Sequence, residues 1–113
     1  MKKFFVLYRA PVSAQEQMAN ASPEEMKAGM EPWFAWKEKL GDGVVDMGTP
    51  LGSPRRVTKD GASSSDSSIC GYSILQANSL DEALEMVKDH PHLSWVEESE
   101  IEVLEAFPLP GME

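Results

Sequence analysis

The sequence contains one cysteine, Cys70, so neither an intrachain disulfide nor a thiolate metal cluster can be built from it. Basic residues are scarce too: ten Lys and Arg stand against nineteen Asp and Glu. The resulting formal charge of −9 repels phosphate backbones and anionic membranes alike, which argues against nucleic acid as a partner. No apolar run approaches the roughly 18 residues of a membrane span. The serine run at 63–68 lacks the glycines and lysine of a phosphate-cradling loop, and no other cofactor motif is visible. What remains is a globular balance, 113 residues that are 42% hydrophobic and 26% charged, which predicts one domain over residues 1–113. A chain of this size buries roughly 65% of its unfolded surface, enough for a core without disulfides.

The N-terminus imitates a secretory signal: Lys2 and Lys3, then Phe4 to Tyr8, then Val12-Ser13-Ala14. Arg9 ends the apolar run after five residues, too few for a signal h-region, and the run reads better as a buried strand. The expectation is therefore a retained N-terminus and a cytoplasmic protein.

Periodicity and caps order the elements. Residues 3–9 read as a first strand and 11–21 as a polar loop. Ser22-Pro23-Glu24-Glu25 is a capping box with proline at the first helical position. Met26, Met30, Trp33, Phe34 and Leu40 then recur at helical spacing, with Gly41 as the stop. Pro32 lies inside this pattern and predicts a kink or two helical pieces. Residues 44–48 read as a second strand that 55–58 extends past the intervening loop, and the serine-rich 59–68 reads as a mobile hairpin connection too polar to order itself. Residues 69–77 give a third strand. Ser79-Leu80-Asp81-Glu82 is another capping box, followed by the stripe Leu80, Ala83, Leu84, Val87, and Pro91 stops that helix at about Asp89. Residues 92–98 read as a loop, 101–105 as a fourth strand and 107–110 as a tail. The order βαββαβ predicts an α+β, ferredoxin-like protomer: an antiparallel sheet with both helices on one face. The uncovered, partly apolar face predicts a homodimer packed sheet against sheet.

These elements also carry a resemblance. The segments Lys3-Phe4-Phe5-Val6-Leu7-Tyr8-Arg9, Trp33 to Leu40, Gly48-Thr49-Pro50-Leu51, Gly71-Tyr72, Ser79-Leu80-Asp81-Glu82-Ala83, His90-Pro91-His92-Leu93 and Ile101-Glu102-Val103 together resemble YCII-related proteins, a group overlapping the DGPF family. The resemblance spans almost the whole chain and implies a dimeric α+β barrel of two ferredoxin-like protomers. Two departures limit it. The Asp-Gly-Pro-Phe motif is replaced by the serines of 63–68. Residues 31–36 contain no histidine, and His90 takes the position of the family's aspartate, so the His–Asp pair of short members is not reproduced.

Each candidate side chain has a functional and a plain reading. His90, at a helix C-terminus whose dipole favours its protonated form, is either a proton shuttle or a C-capping histidine. Asp46 in an apolar strand is a candidate base if buried, or a harmless edge carboxylate. Tyr8, Arg9 and Tyr72 come from neighbouring strands and would line one pocket, Arg9 holding an anionic group; alternatively Arg9 is a solvated charge. His90 and His92 form a poor metal pair because no distant histidine anchors them, and His92 reads as a loop-packing residue; no metal site is expected. Trp33 and Trp36 read as core or pocket wall, and Cys70 as an inert, buried thiol. The glutamates at 97, 98, 100, 102 and 105 form a solvated face. The leading expectation is a small-molecule-binding protein or cofactor-independent acid–base enzyme, acting as a homodimer through a pocket of Tyr8, Arg9, Asp46, Tyr72 and His90. The alternative is a non-catalytic dimerising module.

Overall fold

The computed structural model describes residues 1–11, 19 and 21–111. The polar stretch 11–21, including Val12, Ser13 and Ala14, lies almost wholly outside the described residues. Strands β1 (Lys2–Arg9), β2 (Val44–Asp46), β5 (Ile69–Ala77) and β6 (Glu100–Ala106) form one sheet in the order β2-β5-β1-β6, antiparallel at every pairing. Helices α1 (Pro23–Leu40) and α2 (Leu80–Val87) complete the ferredoxin-like α+β fold.

Alternation along β1 sorts the two faces of the sheet. Phe4, Val6 and Tyr8 point inward and are at most 2% exposed, whereas Phe5, Leu7 and Arg9 point out. Register carries this phase to the neighbours. Tyr8 sits opposite Gly71 and Phe4 opposite Leu75, while Leu7 sits opposite Tyr72 and Phe5 opposite Ile74. Gly71 fits closely there: a Cβ on it would lie 3.3 Å from the Tyr8 ring, which would have to give by a few tenths of an ångström. Between Tyr8–Gly71 and Arg9–Ile69 the register slips, leaving Cys70 as an extra, unpaired residue whose thiol turns into the core.

Helix α1 begins with the full capping box, Ser22 Oγ accepting from the Glu25 amide at 3.1 Å and Glu25 accepting from the Ser22 amide at 3.4 Å. It runs unbroken through Pro32 to Gly41, so the expected division into two pieces does not occur. Pro32 and Ala28 are both exposed, so the Ala28 carbonyl that loses its N–H partner to the proline lies on the solvent side of the helix. The Trp36 indole donates to the Met86 carbonyl at 2.8 Å and ties α1 to α2. In α2 the buried residues are Ala83 and Val87, while Leu80 and Leu84 remain 45% exposed, so the expected stripe is half buried. The helix ends at Val87, two residues early, because the chain turns into a 3₁₀ segment at Pro91–Ser94 where a plain loop was expected.

The serine-rich connection also differs from expectation. Arg55–Thr58 (β3) does not extend β2; it pairs with Gly61–Ser64 (β4) in a separate, wholly exposed two-stranded ribbon. Backbone pairing around Asp60-Gly61 orders it without apolar burial.

Candidate functional site

The centre of the inner face is an aromatic cluster. The Tyr8 ring lies 4.9 Å from Trp33, 4.8 Å from His90 and 5.1 Å from His92, centre to centre. Trp33 and Trp36 of α1 meet His90 edge-on at 4.5 and 4.4 Å, and Trp95 lies 5.7 Å from His92. Helical spacing puts Trp33 and Trp36 on one side of α1, and the 3₁₀ turn after Pro91 brings the histidines up against the end of β1.

A chain of hydrogen bonds runs through this cluster, and its ends fix its direction. The His92 amide can only donate, and it donates to His90 Nδ1 at 2.9 Å. His90 Nε2 therefore carries the ring hydrogen and donates to the Tyr8 hydroxyl at 3.0 Å. At the far end Ser73 Oγ donates to the Met47 carbonyl at 2.7 Å, so the 2.6 Å contact between Tyr8 and Ser73 has the tyrosine as donor. Every polar atom of His90, Tyr8 and Ser73 is thus committed. Burial, with the charge of His92 second, pushes the His90 imidazole down to about 3, and burial pushes the Tyr8 hydroxyl above its ordinary value. Two expectations for His90 are corrected. It is not charged by a helix dipole, because burial outweighs that field. Its ring caps no helix C-terminus: only its main-chain N–H reaches the Val87 carbonyl, at 3.1 Å, and the side chain is the N-cap of the 3₁₀ turn.

The five residues expected to share one pocket fall on two sides of the sheet. Arg9 points outward, its guanidinium 3.0 Å from both Glu102 and Ser68 Oγ. Asp46 is exposed, not buried: its carboxylate accepts from the Gly48 amide at 2.9 Å and from the Tyr72 hydroxyl at 3.3 Å. That carboxylate raises the Tyr72 phenol above its ordinary value. Asp46 turns outward because β2 is only three residues long and bulges between Val44 and Asp46. Four of the five thus form two separate pairs, Tyr8 with His90 and Tyr72 with Asp46, and of these four Tyr8 and Tyr72 line the cleft beside the cluster.

Beside the cluster lies a cleft of about 1100 Å³. Its walls are α1 at Met26, Met30, Trp33 and Trp36, the bulged end of β5 at Cys70 and Gly71, the loop after β2, and the turn carrying His92 and Trp95. Gly48 shapes the loop wall, with φ of 81° and no room for a Cβ beside the Tyr72 carbonyl. Leu51 donates to the Cys70 carbonyl at 3.0 Å and holds the loop on β5. Tyr8 reaches the cleft, whereas His90, 1% exposed, is sealed behind the aromatic rings. Cys70 is buried as expected, and burial raises its thiol.

His92 is the cleft residue that sequence reasoning assigned only to loop packing. It is 2% exposed, lines the cleft, and its Nε2 lies 2.9 Å from the Arg9 carbonyl. The signal in the sequence was the His90-Pro91-His92 spacing, which pins both rings to one turn. Among the described residues no group of three or more His, Cys, Asp or Glu side chains is placed to hold a metal ion, and no helix is long and apolar enough to cross a membrane.

No protein-family model matches the chain, and a search of characterised proteins finds no match. Among solved structures, the chain is similar to the 5-chloro-2-hydroxyhydroquinone dehydrochlorinase of Burkholderia phenoliruptrix in complex with 2,5-dihydroxybenzoquinone, with a TM-score of 0.49 and 18% identity. The match covers 97% of this chain and 99% of that one. No residue role is transferred from it.

Proposed function

We propose that this chain is a small-molecule-binding protein that acts as a homodimer, its ligand seated in the cleft between α1 and the inner edge of the sheet. The observation that carries the reading is the cleft itself. At about 1100 Å³ it has room for a small metabolite, and indole, thioether and proline side chains dominate its walls with few polar groups among them, the usual make-up of a ligand site. Cofactor-independent acid–base chemistry is the reaction class such a site accommodates, and membership of the YCII-related group is the family reading that the segments quoted above support.

The dimer half of the proposal rests on the outer face. Phe5, Leu7, Ile74 and Leu104 lie side by side there through the β1 pairings, and Phe5 and Leu104 are more than 40% exposed. A contiguous apolar strip on a sheet is normally covered. Leu104→Glu is expected to halve the mass seen by light scattering without unfolding the chain; an unchanged mass would remove the sheet-to-sheet dimer.

The non-catalytic module has one observation in its favour: both ring nitrogens of His90 are spent on structure. A thermal-shift screen of small apolar metabolites separates the readings. A ligand present at a hundred times its Kd stabilises the folded chain by about 2.7 kcal/mol, a shift of several degrees at this size. A ligand that raises Tm in the wild type but not in Trp33→Ala supports the cleft; a panel with no effect supports the module.

A further inference from the structure

We propose that His92 is the proton acceptor of the cleft, taking the hydrogen of a weakly acidic hydroxyl, phenolic or enolic, on a neutral and largely apolar ligand. The inference rests on the ligand-binding reading above and specifies its chemistry. The Arg9 carbonyl only accepts, so the contact at 2.9 Å places the hydrogen of the neutral His92 ring on Nε2 and leaves the lone pair on Nδ1. Nothing among the described residues donates to Nδ1, yet no fully buried side-chain nitrogen or oxygen lacks a partner. In a residue only 2% exposed that lines the cleft, Nδ1 is therefore the atom that reaches the cleft space. His90 offers the contrast, with both nitrogens already bonded.

The surroundings select the ligand. A lone pair on imidazole calls for a hydrogen donor. The formal charge of −9, and a cleft margin where Glu25, Glu85 and Asp89 outnumber Lys39 and Lys88, disfavour a molecule that arrives as an anion. Indole and thioether walls favour a flat apolar body. On transfer, the ligand O–H bond breaks and the proton forms a bond to Nδ1. The imidazolium then keeps Nε2–H on the Arg9 carbonyl and presents Nδ1–H to the new oxyanion, so no other reactant is needed.

The test uses two probes, 4-nitrophenol and nitrobenzene, which differ by the hydroxyl group, with binding read by quenching of tryptophan fluorescence. His92→Gln keeps a donor for the Arg9 carbonyl and removes the ring base. The expected result is about tenfold weaker 4-nitrophenol binding in the variant, the loss of one good hydrogen bond, with nitrobenzene changed less than about twofold. Equal losses for both probes, or none for either, would overturn the inference and leave the cleft reading standing. Quenching by neither probe in the wild type would overturn both. Nitrogen NMR of the wild-type ring needs no variant: the His92 Nδ1 resonance is expected to move toward its protonated position when 4-nitrophenol binds, and a static resonance at saturation would contradict the proposal.

Discussion

The two faces of the sheet are built from the same strands one residue out of step, yet they do different physical work. The inner face of β1 offers Phe4, Val6 and Tyr8 to a closed set of rings and hydrogen bonds in which the polar atoms of Tyr8, Ser73 and His90 are all partnered. The outer face offers Phe5, Leu7 and Arg9, half-exposed apolar side chains beside ion pairs and tyrosine–carboxylate contacts in water. Burial gives every interaction of the first set its strength and its penalty for removal, and solvent screens the second set. Polar residues of promising type thus occur on both faces; Tyr8 and His92 line the cleft from the inner side, and from the outer set Tyr72 reaches its margin while Arg9 and Asp46 do not.

Adjacent residues of β1 give the largest expected contrast. Phe4→Ala opens a cavity in the core and is expected to cost about 4 kcal/mol in chemical denaturation, against about 1 kcal/mol for Phe5→Ala in dilute protein. A Phe5→Ala loss that grows with protein concentration would show the outer face buried in the dimer. Next comes acid. The unfolded His90 imidazole takes a proton near 6.5 while the folded one resists to about 3, so between these values the unfolded chain binds more protons and stability falls as pH drops. The expected loss is roughly 3 kcal/mol between pH 7 and pH 4. It should be absent in His90→Asn, whose amide still accepts the His92 N–H but does not titrate. Tyr8→Phe strands the His90 N–H and leaves the Ser73 hydroxyl with only its Met47 carbonyl, and is expected to cost about 2 kcal/mol. Arg9→Gln, which removes an ion pair whose two side chains are 43% and 46% exposed, should cost less than about 0.5 kcal/mol. A loss as large as that of Tyr8→Phe would erase the distinction between the faces.

The fold was legible because its signals are local. The capping box at Ser22, the N-cap at Ser79, where only the serine half of the expected box forms, the glycine stop at Gly41 and the alternation of residues 69–77 each fix an element without reference to the rest of the chain. The site was less legible because a strand residue's face depends on register, and register here is altered by bulges at Cys70 and between Val44 and Asp46. Asp46 and Arg9 have the right chemistry on the wrong side, whereas Tyr72 reaches the cleft margin. His92 was undervalued because its role depends on which nitrogen the Arg9 carbonyl holds, a contact 83 residues away in sequence. The β3–β4 ribbon was missed because main-chain pairing across a tight turn leaves no apolar pattern to read.

The central claim, that the inner face holds the ligand and the outer face does not, is tested most directly by amide and indole NMR during a nitrobenzene titration. The account predicts shifts at the Trp33, Trp36 and Trp95 indoles and the Gly71 amide, with the amides of Phe5, Ile74 and Leu104 unmoved. Shifts confined to Phe5, Ile74 and Leu104, with the indoles static, would contradict it.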